Sequence, residues 1–335
     1  MSVVPERRPG PVPLDGIRLR PATQGDLPSC GEIWRDGLND YMGRLNLPEI
    51  PPELGPIGRL HRHLQATDPE RFWVATRDAG PPGDDGTSGG ADRPIAFASA
   101  TRRDEVWFLS MLFVRPGDQG RGIGSALLRR IRPADSAALA TGTDSAQPIS
   151  NALYARHGMV PRMPLLSLSG RPDRQETLGE LPSGITPVPF AAIAAGAPDG
   201  AGHRELSAAV DALDRESAGF THPQDHRFLR AEGRTGFLYR GPDGAPVGYG
   251  YASEVGRVGP VAVRDEALLA PVVGHLLSAV EPRDASAVWV PGQADRTLIA
   301  LLAAGMRLDG FPVLLCWSRP FADFGRYLPI SPGLL

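Results

Sequence analysis

The residues able to do chemistry are concentrated in Leu112-Phe113-Val114-Arg115-Pro116-Gly117-Asp118-Gln119-Gly120-Arg121-Gly122-Ile123-Gly124-Ser125-Ala126-Leu127-Leu128. An apolar run enters a turn of small residues, and the turn opens directly onto an apolar-periodic helix. The first turn of a helix carries backbone N–H groups without intrahelical partners, and its dipole favours negative charge. Glycines let a pyrophosphate come close enough to use those donors. The segment therefore reads as a phosphate cradle. Two kinds of cradle are excluded. A P-loop needs Lys and then Ser/Thr after its second glycine, and Ile123-Gly124-Ser125 supplies no Lys. A dinucleotide-binding turn needs Gly-x-Gly-x-x-Gly, and Gly120-x-Gly122-x-Gly124 is spaced differently.

The pattern that fits is Gln-x-x-Gly-x-Gly, beginning at Gln119, five residues after Val114. With a strand before it and a helix after it, the pattern resembles the acetyl-CoA motif of the GNAT N-acetyltransferase superfamily. The resemblance implies acetyl-CoA as co-substrate. It implies that backbone groups of Leu112, Phe113 and Val114 hold the pantetheine amides and polarise the thioester carbonyl. The N–H groups of Gly120, Arg121, Gly122, Ile123, Gly124 and Ser125 would hold the pyrophosphate, with Arg121 adding charge at the rim.

A second stretch agrees. Asn151-Ala152-Leu153-Tyr154-Ala155-Arg156-His157-Gly158-Met159 is similar to the short helix that follows the fifth strand in that superfamily. There the tyrosine hydroxyl protonates the departing thiolate, so Tyr154 is the implied general acid; a phenol is a proton donor at neutral pH. Asn151 stands where the family often touches the pantetheine arm. The implied reaction is direct attack of a primary amine, on a small molecule or a peptide, upon the thioester. The glutamate that some relatives use as base, six residues before the strand-ending valine, is replaced by Phe108. Asp104 and Glu105 lie nearby, and Glu105 is the candidate base, directly or through water. A second class stays open, a non-catalytic acyl-CoA sensor or regulatory module; Tyr154→Phe separates it from an enzyme.

These residues need elements to position them. Ile17–Pro21 alternates as a first strand, and a helix follows through about Leu38. A second helical region covers Ile57 to Gln65. Phe72–Thr76 and Pro94–Ala100 are antiparallel strands, separated by Gly80 to Asp92, whose Gly/Pro/Asp/Ser content marks disorder. Trp107–Val114 feeds the glycine loop, Ser125–Ile131 continues the helix, and Pro133 breaks it. Ala137–Ala140 is the fifth strand, weak by propensity. Residues up to about Leu14 form an unpacked tail.

The second half repeats the first in diluted form. Phe237–Arg240 and Pro246–Ala252 flank a Gly241-Pro242-Asp243-Gly244 turn as a hairpin, and Arg257–Val263 parallels the strand ending at Val114. Gly305-Met306 with Pro312–Pro320 echoes Gly158-Met159 with Pro164–Pro172, an offset of about 147 positions. The resemblance is to tandem GNAT proteins: α+β, two GNAT-like domains at residues 15–172 and 180–325, each a mixed, mostly antiparallel sheet flanked by helices. The copies differ where chemistry would occur. Leu268, Pro271 and Val273 fall on the Gln, Gly and Gly positions, and Leu301 falls on the tyrosine position. The second domain is expected to be degenerate, structural or substrate-shaping.

Composition narrows the rest. A formal net charge of −3 gives no argument for nucleic acid or an acidic membrane surface, and no apolar run reaches the length of a membrane span. Cys30 and Cys316 suggest no disulfide framework, and the cytoplasm is the default location. All 35 basic residues are Arg. Apolar content in the second half is compatible with a homodimer. Asp211, Asp214, Glu216, His222, Asp225 and His226 cluster before the second hairpin. Pro223 argues against both histidines sharing one helix face, so a solvated polar loop is expected and no metal. Asp40, Tyr41, Arg59, His61 and His63 lie in the region that faces the acceptor in related domains, and each reads equally as surface.

Overall fold

The computed structural model describes residues 14–77, 93–135, 137–195 and 200–335. The expected tail up to residue 13 and the expected disorder between Gly80 and Asp92 lie outside them. The chain forms two compact units: residues up to Thr101 with Leu109–Asp135, and Arg102–Phe108 with the residues from 136 onward.

The first unit contains β1 (Ile17–Pro21), α1 (Leu27–Arg44), α2 (Gly55–Thr67), β2 (Phe72–Arg77), most of β3 (Pro94–Arg103), the end of β4 (Val106–Val114) and α3 (Ile123–Ile131). Its strands run in the order β1-β2-β3-β4, with β2 antiparallel to both β1 and β3. Helix α1 starts at Asp26, whose carboxylate accepts from the Thr23 amide and hydroxyl and from the Arg20 guanidinium. It runs past Leu38 to Arg44 and stops where Asn46 turns left-handed, at φ 54°, a conformation Asn tolerates. Phe72, Val74, Phe97, Leu127 and Leu128 are buried at its core, and the Arg130 guanidinium lies 4.1 Å above the Trp73 ring.

The second unit holds β5 (Ala138–Asp144), α4 (Pro148–Arg156), β6 (Val160–Gly170), β7 (Thr186–Pro189), α5 (Phe190–Ala195), α6 (Ala201–Ser217), α7 (Pro223–Ala231), β8 (Thr235–Arg240) and β9 (Pro246–Ala252). It continues through β10 (Arg257–Val263), α8 (Leu269–Ala279), β11 (Ser286–Pro291), α9 (Asp295–Ala303), β12 (Arg307–Leu308), β13 (Val313–Trp317) and β14 (Tyr327–Leu328). Its main strand order is β5-β13-β6-β11-β10-β9-β8-β7. Only β10 and β11 are parallel among the registered pairs, and the others are antiparallel.

The order β5-β13-β6-β11 is an exchange. Strand β13, from the end of the second half of the sequence, fills the gap between β5 and β6 of the first half. Strand β6 in turn lies between β13 and β11. Exchange explains why β5 reaches Asp144 although its sequence is a weak strand former: Val313 through Trp317 pair with Asp144 through Ala140. Pairing with a partner overrides local propensity. The repeat is visible in the caps as well. The Met159 amide donates to the Tyr154 carbonyl at 3.0 Å after α4, and the Met306 amide donates to the Leu301 carbonyl at 3.1 Å after α9. Gly158 and Gly305, at φ 87° and 95°, make both turns.

Candidate active site

In the first unit, β4 is buried through Met111 and becomes half-buried at Leu112, Phe113 and Val114. The chain then makes a short turn at Pro116–Asp118 and enters α3 through Gly122. Gly120 and Gly122 are left-handed, at φ 79° and 82°, and among the described residues a Cβ on either would meet nothing within 4 Å. Backbone conformation is therefore what demands glycine there. The Ala126 amide is the first to bond inside the helix, to the Gly122 carbonyl at 3.0 Å. The amides of Ile123, Gly124 and Ser125 therefore form the first-turn donor set.

Two contacts hold this loop in shape. The Gln119 amide group donates to the Val114 carbonyl at 3.2 Å, tying the loop to the strand end. Asp118, which the sequence reading did not single out, is buried beneath the loop. It accepts from Arg77 at 2.9 and 3.1 Å and from Arg121 at 3.1 Å. Its charge is matched by two guanidiniums, so the loop presents no net negative charge to an anion. Only the pairing with β2, 41 positions away, shows this, and no local signal marks it.

In the second unit, Asn151 and Tyr154 lie on α4. The Asn151 side-chain NH2 donates to the carbonyls of Asp144 at 3.0 Å and Gln147 at 2.8 Å, fixing the amide beside the end of β5. Among the described residues its buried Oδ1 has no hydrogen-bond partner, so it can accept from an amide N–H. The neighbouring Thr143 and Ser150 hydroxyls are 2.8 Å apart. Tyr154 is buried, and burial, with Cys316 adding to it, pushes its hydroxyl above the ordinary phenol range. The phenol therefore keeps its proton at neutral pH.

Glu105 lies in the turn between β3 and β4, with its side chain 74% exposed and Oε1 3.9 Å from an Arg102 nitrogen. Phe108 is buried. Asp104 is occupied structurally: it accepts from the Thr221 amide at 2.7 Å and the Thr221 hydroxyl at 3.1 Å. His61 is fully buried in the first unit, against Phe72, Phe97 and the Met111 sulfur, and is not part of an acceptor surface. Burial depresses its imidazolium to about 4, so it is neutral.

At the corresponding positions of the second half, Pro271 and Val273 lie on α8, Val273 is buried, and Leu301 is buried on α9. The expected solvated loop around His222 and His226 is wrong. Asp214, His222, Asp225 and His226 are buried together, and only Glu216 of that group reaches a surface ion pair, with Arg264. His222 precedes Pro223 as the residue capping α7, so the two imidazoles need not share a helix face to converge.

The family model for the acetyltransferase (GNAT) domain matches residues 68–160. No protein of curated function matches the chain in sequence. Among solved structures, a putative acetyltransferase from Pyrococcus horikoshii superposes with a TM-score of 0.69 at 13% identity, covering 98% of this chain and 99% of that one. A GCN5-related N-acetyltransferase from Sphaerobacter thermophilus gives 0.56 at 18% identity, over 93% and 99%. A tandem GNAT protein from the clavulanic acid biosynthesis pathway gives 0.50 at 19% identity, over 91% and 99%. At these identities the likeness is one of fold: a mixed α/β chain with a large, mostly antiparallel sheet, matching tandem GNAT architecture along its length.

Proposed function

We propose that this chain is an acetyltransferase of the GNAT type that moves an acetyl group from acetyl-CoA to a primary amine of a small molecule or peptide, a reading supported by the GNAT domain match over residues 68–160 and by the tandem GNAT fold. The observation that carries the reading is the left-handed glycine pair at the entrance of α3, with a first-turn donor set behind it.

In this reading the N–H groups of Gly120 through Ser125 bind the pyrophosphate, and Arg121, held by Asp118, adds charge. The strand end at Leu112, Phe113 and Val114 supplies backbone groups to the pantetheine amides and the thioester carbonyl. The buried Oδ1 of Asn151 takes a further amide N–H. Tyr154 holds a proton at its hydroxyl and gives it to the leaving sulfur. Glu105, exposed to solvent, takes the ammonium proton through water. Residues 15–172 carry the transfer. Residues 180–325 support it, since a leucine, a proline and a valine cannot build an anion-binding turn and Leu301 has no proton to give.

Among the described residues no helix is long and apolar enough to cross a membrane. Calorimetric titration of acetyl-CoA into the protein tests the reading. One site per chain is expected. Two sites would overturn the degenerate second domain, and no binding would overturn the acetyltransferase itself.

A further inference from the structure

Asp214 lies near the end of α6, His222 immediately before α7, and His226 one turn into α7. The Nε2 of His226 stands 2.9 Å and that of His222 3.3 Å from the same atom, Oδ2 of Asp214. One ligand atom from each residue can be chosen so that all three lie within 4.8 Å of one another. In a tetrahedral zinc site with bonds of about 2.0–2.1 Å, neighbouring ligand atoms stand about 3.3 Å apart. The two oxygen–nitrogen edges here are already close to that length.

We infer that Asp214, His222 and His226 form a binding site for a divalent transition-metal ion of the zinc class, built into the second half of the protein. The inference does not rest on the acetyl-transfer reading. Two nitrogens and one carboxylate oxygen suit zinc, cobalt or nickel better than magnesium or calcium, which prefer all-oxygen cages.

A further observation points to a ligand. The His222 side chain is completely buried, and among the described residues neither ring nitrogen has a hydrogen-bond partner. A buried imidazole left in that state is costly, and coordination at Nε2 would satisfy it.

The remaining atoms of Asp214 and His226 already have outer hydrogen-bond support, as ordered metal ligands do, and a carboxylate stands near that of His222. The Tyr249 hydroxyl donates to Oδ1 of Asp214 at 2.5 Å. The Tyr251 hydroxyl lies 3.1 Å from Nδ1 of His226. Oδ2 of Asp225 lies 3.7 Å from Nδ1 of His222, and Arg103 grips Asp225 through Nε at 2.7 Å and Nη2 at 2.9 Å.

The test uses the full chain, purified without a metal-affinity tag, dialysed against a chelator and then titrated with cobalt(II). The expected result is a visible absorption band of tetrahedral strength that saturates at one cobalt per chain and is bleached by zinc. His222→Gln and Asp214→Asn should each abolish the band while keeping a cooperative thermal transition. Should both variants fail to fold, the wild-type titration still decides. A folded wild-type protein that shows no band at millimolar cobalt would overturn the site, as would a band that survives both substitutions.

Discussion

Cys316 on β13 stands in register opposite Thr141 on β5, so a strand from the far end of the sequence completes the sheet from which α4 and Tyr154 depart. The same strand pairs on its other side with β6, where Val313 faces Leu165. A chain ended at residue 172 would keep β5 and β6 and lose β11, β12 and β13. Both would be left with unpaired edges, which invite aggregation. That fragment should be insoluble or lack a cooperative melt, and co-expression with residues 173–335 should restore a soluble complex. A monomeric 1–172 fragment with a sharp thermal transition would contradict the exchange.

Gly122 enters α3 in a left-handed conformation, and among the described residues a Cβ there would meet nothing within 4 Å. Gly122→Ala should impose a backbone cost of about 1–2 kcal/mol without a steric clash. Gly122→Val adds bulk where the anion would sit. Calorimetry with acetyl-CoA should show affinity reduced about tenfold for alanine, as about 1.4 kcal/mol implies, and further for valine. Equal affinities for all three proteins would remove the loop from the binding site.

Tyr154 is buried, so replacing it with Phe deletes one oxygen and leaves no large cavity. If its hydroxyl delivers the proton, Tyr154→Phe should lower kcat by about 10²–10⁴ with little change in acetyl-CoA affinity. An acyl-CoA sensor predicts no change in either. Steady-state rates, once an acceptor amine is found by screening, separate the two.

The metal-free protein should have a pH-dependent stability set by the buried cluster. Burial alone would lower the His222 imidazolium, but Asp214 and then Asp225 outweigh it, and the net direction is upward. Its contribution is complete below the unfolded histidine value of about 6.5 and is lost as pH rises through the raised folded value. His226 moves the other way, lowered by burial and by His222, so its contribution falls away as pH drops below about 6.5. For Asp214, burial alone would raise the carboxyl, but the two histidines hold it down, and that stability is lost only in strong acid. Thermal melts with chelator present should decline on the alkaline side of neutrality, and His222→Gln should flatten that limb. An unchanged limb in the variant would place the titration elsewhere.

The elements that carry the candidate site were legible in the sequence. The strand, the glycine turn and the helix are contiguous, so local pattern alone marks the segment from Leu112 to Ser125. The short helix bearing Tyr154 is marked by the glycine and methionine that follow it at a fixed distance. What the sequence hid depends on partners remote in the chain. Nothing near Ala138 announces a strand reaching Asp144, because its order comes from Val313–Trp317. Nothing near Asp118 announces Arg77. Pro223 separates His222 from His226 in local pattern, whereas the atom that gathers them, Oδ2 of Asp214, belongs to the preceding helix.

The crossing of β6 and β13 also binds the two halves of the sequence to one another. With β13 seated between β5 and β6, neither half of the sequence can be deleted without stripping a strand partner from the other. In the proposed reading that mutual dependence holds the second half in place even where Pro271, Val273 and Leu301 leave it no chemistry of its own, whereas the caps and strands that cross between the halves stay under constraint. The internal repeat is for that reason clearest at Gly158-Met159 and Gly305-Met306, directly before the strands that cross.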